Sequence, residues 1–144
     1  MKKLLFLGLF FAMGCASFDT MGSLDWIPIG PEFHATNPDQ IEVISSRRDI
    51  KRAYGDLGLL RIYNVKPARD NIRFGIEKGR KFIAKKGADA MLVGQYNSAT
   101  DGAANQRVML VISAFKYLDT MTPEDEQALR DFEVLGILNE RTEN

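Results

Sequence analysis

An α+β domain is the fold class this sequence predicts: a small sheet of about four strands in the order β-β-α-β-β, with one main crossover helix and a C-terminal helix. Three observations predict it. Two β-branched, partly alternating runs, I-E-V-I from residue 41 and L-L-R-I-Y from residue 59, precede one long stretch of helical period. Two further apolar runs, A-D-A-M-L-V-G-Q-Y from residue 88 and R-V-M-L-V-I-S-A-F-K-Y from residue 107, follow that stretch. A Thr-Pro-Glu-Asp sequence at residue 122 then opens a second helix.

The 144 residues, 45% hydrophobic, suffice for one domain with a modest core. The domain is expected over residues 41–118. Its first strand ends in the polar connection S-S-R-R-D-I-K-R, and Gly55 and Gly58 mark the entrance to the second, centred on Leu59 to Tyr63. From Pro67 the period changes. Ala68, Ile72, Ile76, Gly79 and Ile83 fall on one helical stripe, and Gly87 after Lys85 and Lys86 is placed to stop it. Gly79 inside the stripe predicts a close approach of helix to sheet, which offsets the roughly 1 kcal/mol a helical glycine costs. The third strand, nearly all apolar, reads as central and covered on both faces. Strand, helix and strand over residues 57–96 predict a right-handed parallel crossover. The polar loop N-S-A-T-D-G-A-A-N-Q makes the last two strands an antiparallel hairpin. In the acidic C-terminal segment, residues 119–144, Thr122 caps, Pro123 takes the first helical position and Asp125 completes a capping box. Leu129, Phe132 and Leu135 give that helix its apolar face, and Gly136 is expected to end it.

The N-terminus has a different grammar. Lys2 and Lys3 precede ten apolar residues, Leu4 to Met13, too few to span a bilayer but suited to a signal-peptide core. Small residues then lead into Cys15, the single cysteine of the chain. The tetrad Ala12-Met13-Gly14-Cys15 resembles the bacterial lipobox, with Ala12 where leucine is commoner. The resemblance implies that residues 1–14 are a lipoprotein signal peptide and that Cys15 carries diacylglycerol on sulfur and an acyl group on its amine. No cofactor is expected beyond this covalent lipid. One acyl chain holds a protein only marginally, whereas three make a durable anchor. Ala16, where inner-membrane retention would have Asp, implies the outer membrane by resemblance to Gram-negative sorting. The competing reading is an ordinary secretory signal with a chance cysteine. Residues 15–40, with Gly22, Gly30, Pro28, Pro31 and Pro38, read as a flexible tether reaching about 80 Å if extended. Trp26, Ile27, Ile29 and Phe33 interrupt it as candidates for docking on the domain.

Y-G-D-L-G entering a strand, followed by a helix ending K-K-G-A-D-A-M-L-V-G, resembles a group of small bacterial domains. The group includes the outer-membrane sensor lipoprotein of the Rcs phosphorelay and small proteins named for heavy-metal binding. The likeness covers roughly residues 41–117 and implies the same small α+β fold. The Rcs-type sensor is braced by disulfides, which one cysteine cannot supply. A shared fold does not transfer a signalling role.

Catalytic patterns are not found. No phosphate loop, nucleophile elbow or calcium-loop spacing occurs, and no second histidine accompanies His34 to build a base or a metal shell. Asp101-Gly102 reads as a turn. The chain is therefore not expected to be an enzyme, and no metal site is expected.

Charge is arranged in blocks although the net formal charge is zero. Residues 16–46 balance to −5, residues 47–86 to +9, residues 87–118 to zero and residues 119–144 to −6. Arg47, Arg48, Lys51, Arg52, Arg69, Arg73, Arg80 and Lys81 are the candidate patch for an anionic partner. The alternative is a solvated basic face near which the acidic segment folds. The resulting expectation is an outer-membrane-anchored lipoprotein whose periplasmic domain is a non-catalytic interaction, sensor or assembly module. Its partners would be the membrane through the lipid, an envelope protein or the cell wall, or a second copy; nucleic acid is not expected. The alternative function is a small-ligand or metal-binding domain of the envelope.

Overall fold

The computed structural model describes residues 22–98 and 106–142. The expected signal peptide and lipobox, Cys15, and the turn expected at Asp101-Gly102 lie outside the described residues. Five strands form one mixed sheet: β1 Leu24–Pro28, β2 Glu42–Ile44, β3 Tyr54–Val65, β4 Ala90–Ser98 and β5 Arg107–Tyr117. Helix α1, Arg69–Ala84, joins β3 to β4, and α2, Pro123–Thr142, follows β5. The order across the sheet is β1-β3-β5-β4-β2, with β2 and β4 parallel and every other neighbouring pair antiparallel. The described residues form an α+β domain, with five strands among them where about four were expected.

The additional strand comes from the expected tether. β1 pairs with β3 from Leu24↔Ile62 to Pro28↔Gly58. Pro28 had marked this stretch as linker, but an edge strand tolerates proline because only one side of it needs a ladder. Beyond β1 the chain remains bound to the domain. The N–H groups of Ile29 and Gly30 both donate to Leu57 O, at 2.9 and 3.0 Å, and that of Phe33 donates to Lys86 O at 3.1 Å. Thr36 donates twice, through N–H to Ala84 O at 2.9 Å and through its hydroxyl to Ala88 O at 2.5 Å. Trp26 stacks obliquely on Phe82 with ring centroids 5.8 Å apart. Residues 22–40 are thus bound to the domain, and the part of the expected tether before Gly22 lies outside the described residues.

β5 is the central strand, correcting the assignment of that place to β4. Its eleven residues pair with β3 on one side and with β4 along its length on the other. β4 meets β2 over only Ala90 to Leu92, because β2 is three residues long. β4 and β5 do form the expected antiparallel hairpin. β3 and β4 both run antiparallel to β5, so they are parallel to each other with β5 between them.

One sheet face is covered by α1. Leu60, Ile62, Leu110, Ile112, Met91 and Ile83 are fully buried there, and each such side chain contributes about 1.5–3 kcal/mol of transfer free energy. Gly79 permits the contact: a Cβ on it would stand 2.1 Å from Ile112 Cδ1. Ala68 precedes the helix as its N-cap and is exposed, so the buried stripe begins at Ile72. Gly87, at φ +85°, reverses the chain after α1, as expected.

On the opposite face Ile44, Ala90, Phe115 and Tyr117 form a second, smaller core beneath residues 45–53. Elsewhere on that face Ile27, Leu59, Met109 and Val111 are half-buried and Tyr96 is exposed. Helix α2 opens as its sequence predicts. Thr122 N–H donates to Asp125 Oδ2 at 3.0 Å, and Asp125 N–H donates to Thr122 Oγ1 at 3.2 Å. It does not stop at Gly136 but continues to Thr142; one interior glycine costs about 1 kcal/mol, too little to end a helix by itself. Among the described residues no helix is long and apolar enough to cross a membrane.

Candidate functional site

The eight basic residues of the candidate patch do not form one surface. Arg47, Arg48, Lys51 and Arg52 precede β3, whereas Arg69 and Arg73 follow its far end. Twelve residues of strand separate the two groups, about 36 Å. Arg47 and Arg52 are already engaged. Arg47 lies 3.1 Å from Asp56 Oδ1, with its guanidinium carbon 5.1 Å from the centroid of the Phe115 ring. Arg52 forms a bidentate pair with Asp119, at 2.6 and 3.0 Å, and lies 4.0 Å from the centroid of the Tyr117 ring. The hydrogen bond to Asp56 is the main cause holding the Arg47 pKa above its ordinary value, and the bond to Asp119 does the same for Arg52. These two arginines act as lids on the second core. Lys51 Nζ donates to Arg48 O at 3.3 Å. Arg80 is half-buried, with Nη1 3.7 Å from Glu77 Oε1, and Lys81 is exposed one residue on.

Arg69 and Arg73 differ from these. They stand one turn apart at the start of α1 and border an open depression of about 650 Å³ with Asp70, Ile72 and Ile76. The two isoleucines are half-buried, so the depression has an apolar floor between two cations. Asp70 belongs to the first helical turn, where a carboxylate complements the helix dipole. The chain enters the domain at this same end: Tyr63 N–H donates to Ser23 O at 3.3 Å, next to Asn64 at the close of β3. Asn64 takes a φ of 58°, a left-handed conformation that asparagine tolerates, at the register slip between Ile62 and Val65.

At the opposite end lies a buried ionic cluster that the sequence reading did not identify. Lys116, 4% exposed, places Nζ 3.4 Å from Asp89 Oδ2 and 3.8 Å from Asp125 Oδ2. Asp89 also accepts from Tyr117 N–H at 3.0 Å and from the Thr120 hydroxyl at 2.5 Å. Asp125, 2% exposed, accepts from His34 N–H at 3.1 Å as well as from Thr122 N–H. Burial pushes the Asp125 carboxyl up, but the Thr122 and His34 amides and the Lys116 ammonium outweigh it and leave its pKa below the ordinary range. The cluster joins four segments: the chain before β2, the start of β4, the end of β5 and the start of α2. Its signal was parity. Val108, Leu110, Ile112 and Ala114 point inward, and Lys116 is the next residue of that series.

Beside the cluster, Pro31, Phe33, Leu57, Lys116, Met121 and Leu129 line a cavity of about 50 Å³, room for one or two water molecules rather than a metabolite. Among the described residues no three His, Cys, Asp or Glu side chains are grouped to hold a metal. His34 contributes its backbone amide to Asp125, as above.

Tyr117 carries one more testable property. Its hydroxyl donates to Glu42 Oε2 at 2.6 Å, and burial, reinforced by that carboxylate, pushes its pKa up to about 12. Because the folded chain holds this proton more tightly than the unfolded one, its contribution to stability is intact below pH 10. That contribution is lost as pH rises from about 10 to about 12. Tyrosinate absorbance should show a step near pH 12 that Tyr117→Phe removes, and a wild-type titration without that step would exclude the buried phenol.

No family model and no curated protein matches this chain. Among solved structures it is similar to a Francisella virulence factor, FvfA, in its orthorhombic crystal form, with a TM-score of 0.49 and 17% identity, covering 64% of this chain and 95% of that one.

Proposed function

We propose that the chain is a lipoprotein held at the outer membrane through Cys15, and that its domain is a non-catalytic interaction module working close to the bilayer on the periplasmic side. The observation that carries this reading is the distance between anchor and fold. Seven residues lead from Cys15 to Gly22, and at about 3.3 Å each they reach no more than about 23 Å. The expected 80 Å tether would have let the domain search the periplasm, whereas a leash this short keeps it beside the membrane surface. Its charged groups are largely engaged in internal pairs and buttresses, an arrangement suited to a rigid docking body.

Cys15→Ser is the test. Carried on an ordinary cleavable secretory signal in place of residues 1–14, and washed at high salt to release headgroup-bound protein, the variant should leave the membrane fraction and appear as soluble protein. Membrane association of Cys15→Ser that survives the high-salt wash would remove the lipid anchor from the account.

A further inference from the structure

We infer that the chain-entry end of the domain docks on the anionic headgroups of the membrane carrying its anchor, with Arg69 and Arg73 holding lipid phosphates. This inference rests on the lipid-anchor reading, because the short leash brings that end to the surface. Three observations converge on it. The first is where the outside chain ends: the seven residues after Cys15 deliver the chain beside Tyr63 and Asn64, five residues before Arg69.

The second is charge. Arg69, Arg73 and Arg107 all lie at this end, Arg69 and Arg73 on α1 and Arg107 at the start of β5 beside Ser98. Asp70 is the acidic side chain among them in the depression. At the opposite end Asp56, Asp89, Asp119, Glu124, Asp125 and Glu126 stand among Arg47, Arg48, Lys51, Arg52 and Lys116, and much of that charge is paired internally. The end toward the anchor thus carries an excess of cations, whereas the charges of the far end largely offset one another. Guanidinium groups bind phosphate through paired N–H donors, and basic residues near an anionic leaflet each add favourable energy within a Debye length.

The third is apolar surface in the same place. Phe74, 58% exposed, follows Arg73 on α1, and the half-buried Ile72 and Ile76 floor the depression between the arginines. A solvent-facing phenylalanine beside arginines is costly for a domain surrounded by water but natural at headgroup level, where aromatic rings settle. A phosphate seated between Arg69 and Arg73 would put the adjoining glycerol and upper acyl carbons over Ile72 and Ile76.

The experiment uses the mature-length chain from residue 15 with Cys15→Ser, so that binding reports the domain and not the lipid. It is sedimented with vesicles of phosphatidylcholine alone, and with vesicles of equal parts phosphatidylcholine and phosphatidylglycerol. The expected result is binding to the anionic vesicles only, weakened by salt. Arg69→Gln with Arg73→Gln should reduce it about thirty-fold, on the order of five-fold per cation. Arg48→Gln with Lys51→Gln removes the same charge at the far end and should leave binding within about two-fold of the parent. Excess inorganic phosphate separates the sources: a site for free phosphate would be emptied by it, whereas a headgroup site would lose no more than the ionic strength accounts for. Equal losses in the two double variants, or no preference for the anionic vesicles, would overturn the proposal. Failure here with a lipid found on Cys15 would leave the anchor standing. An unlipidated chain that still binds through Arg69 and Arg73 would fail the anchor and keep the surface.

Discussion

Asp89→Ala is expected to lower folding stability by about 3–5 kcal/mol, the range for removing one partner from a buried ion pair. The carboxylate serves three donors at once: the Lys116 ammonium, the Tyr117 amide and the Thr120 hydroxyl. Its removal leaves a lysine that is 4% exposed with only the more distant Asp125 for a partner, and it orphans a buried amide, which alone costs about 1–3 kcal/mol. Urea denaturation measures the loss directly through the midpoint at unchanged slope. A loss below about 1 kcal/mol would mean that water reaches the lysine and that the cluster is not the clamp described above. The same clamp has an acid limit. Asp125 has a lowered pKa when folded, so its contribution is present above its unfolded value of 3.8 and disappears as pH falls through the lower folded value.

Gly87→Val is the second large effect, expected at about 2–4 kcal/mol. A φ of +85° is costly for any residue with a Cβ and worst for a β-branched one. Space is also missing. The added Cβ would lie 2.6 Å from Phe33 Cβ and 2.7 Å from His34 O, the latter backbone that cannot rotate away. The damage should therefore be specific as well as large. The amides of Phe33 and Thr36, which bond to Lys86 O and Ala84 O, should exchange much faster with solvent than those of β5. Uniform exchange throughout the variant would show that residues 29–36 are not held as a separate strap at this point. Gly79 is a milder case, because the nearest atom there is the mobile tip of Ile112.

These two positions show what the sequence could and could not disclose. Gly79 and Gly87 were legible because a glycine in a helical stripe and another just past a Lys-Lys end have local causes. The β4–β5 hairpin and the Thr122–Asp125 cap were legible for the same reason. β1 was not, because Leu24–Pro28 has a proline and neighbouring glycines, and its strand character comes from β3 offering an edge. Strand centrality was misjudged because apolar runs of similar quality occur in β4 and β5, and pairing length decides between them. The basic patch looked continuous from residue 47 to residue 86, yet β3 runs through the middle of that stretch and carries its halves to opposite ends. Lys116 was overlooked because a lysine at the end of a strand reads as a surface residue until its inward parity is counted.

The central claim, a domain held within about 23 Å of the bilayer by lipid on Cys15, is tested most directly by intact mass. The protein should be extracted separately from inner and outer membranes. A chain beginning at Cys15 and heavier by a diacylglycerol and one acyl group, recovered with the outer membrane, is the predicted result. A soluble chain without lipid, or a chain that retains Met1, would contradict it.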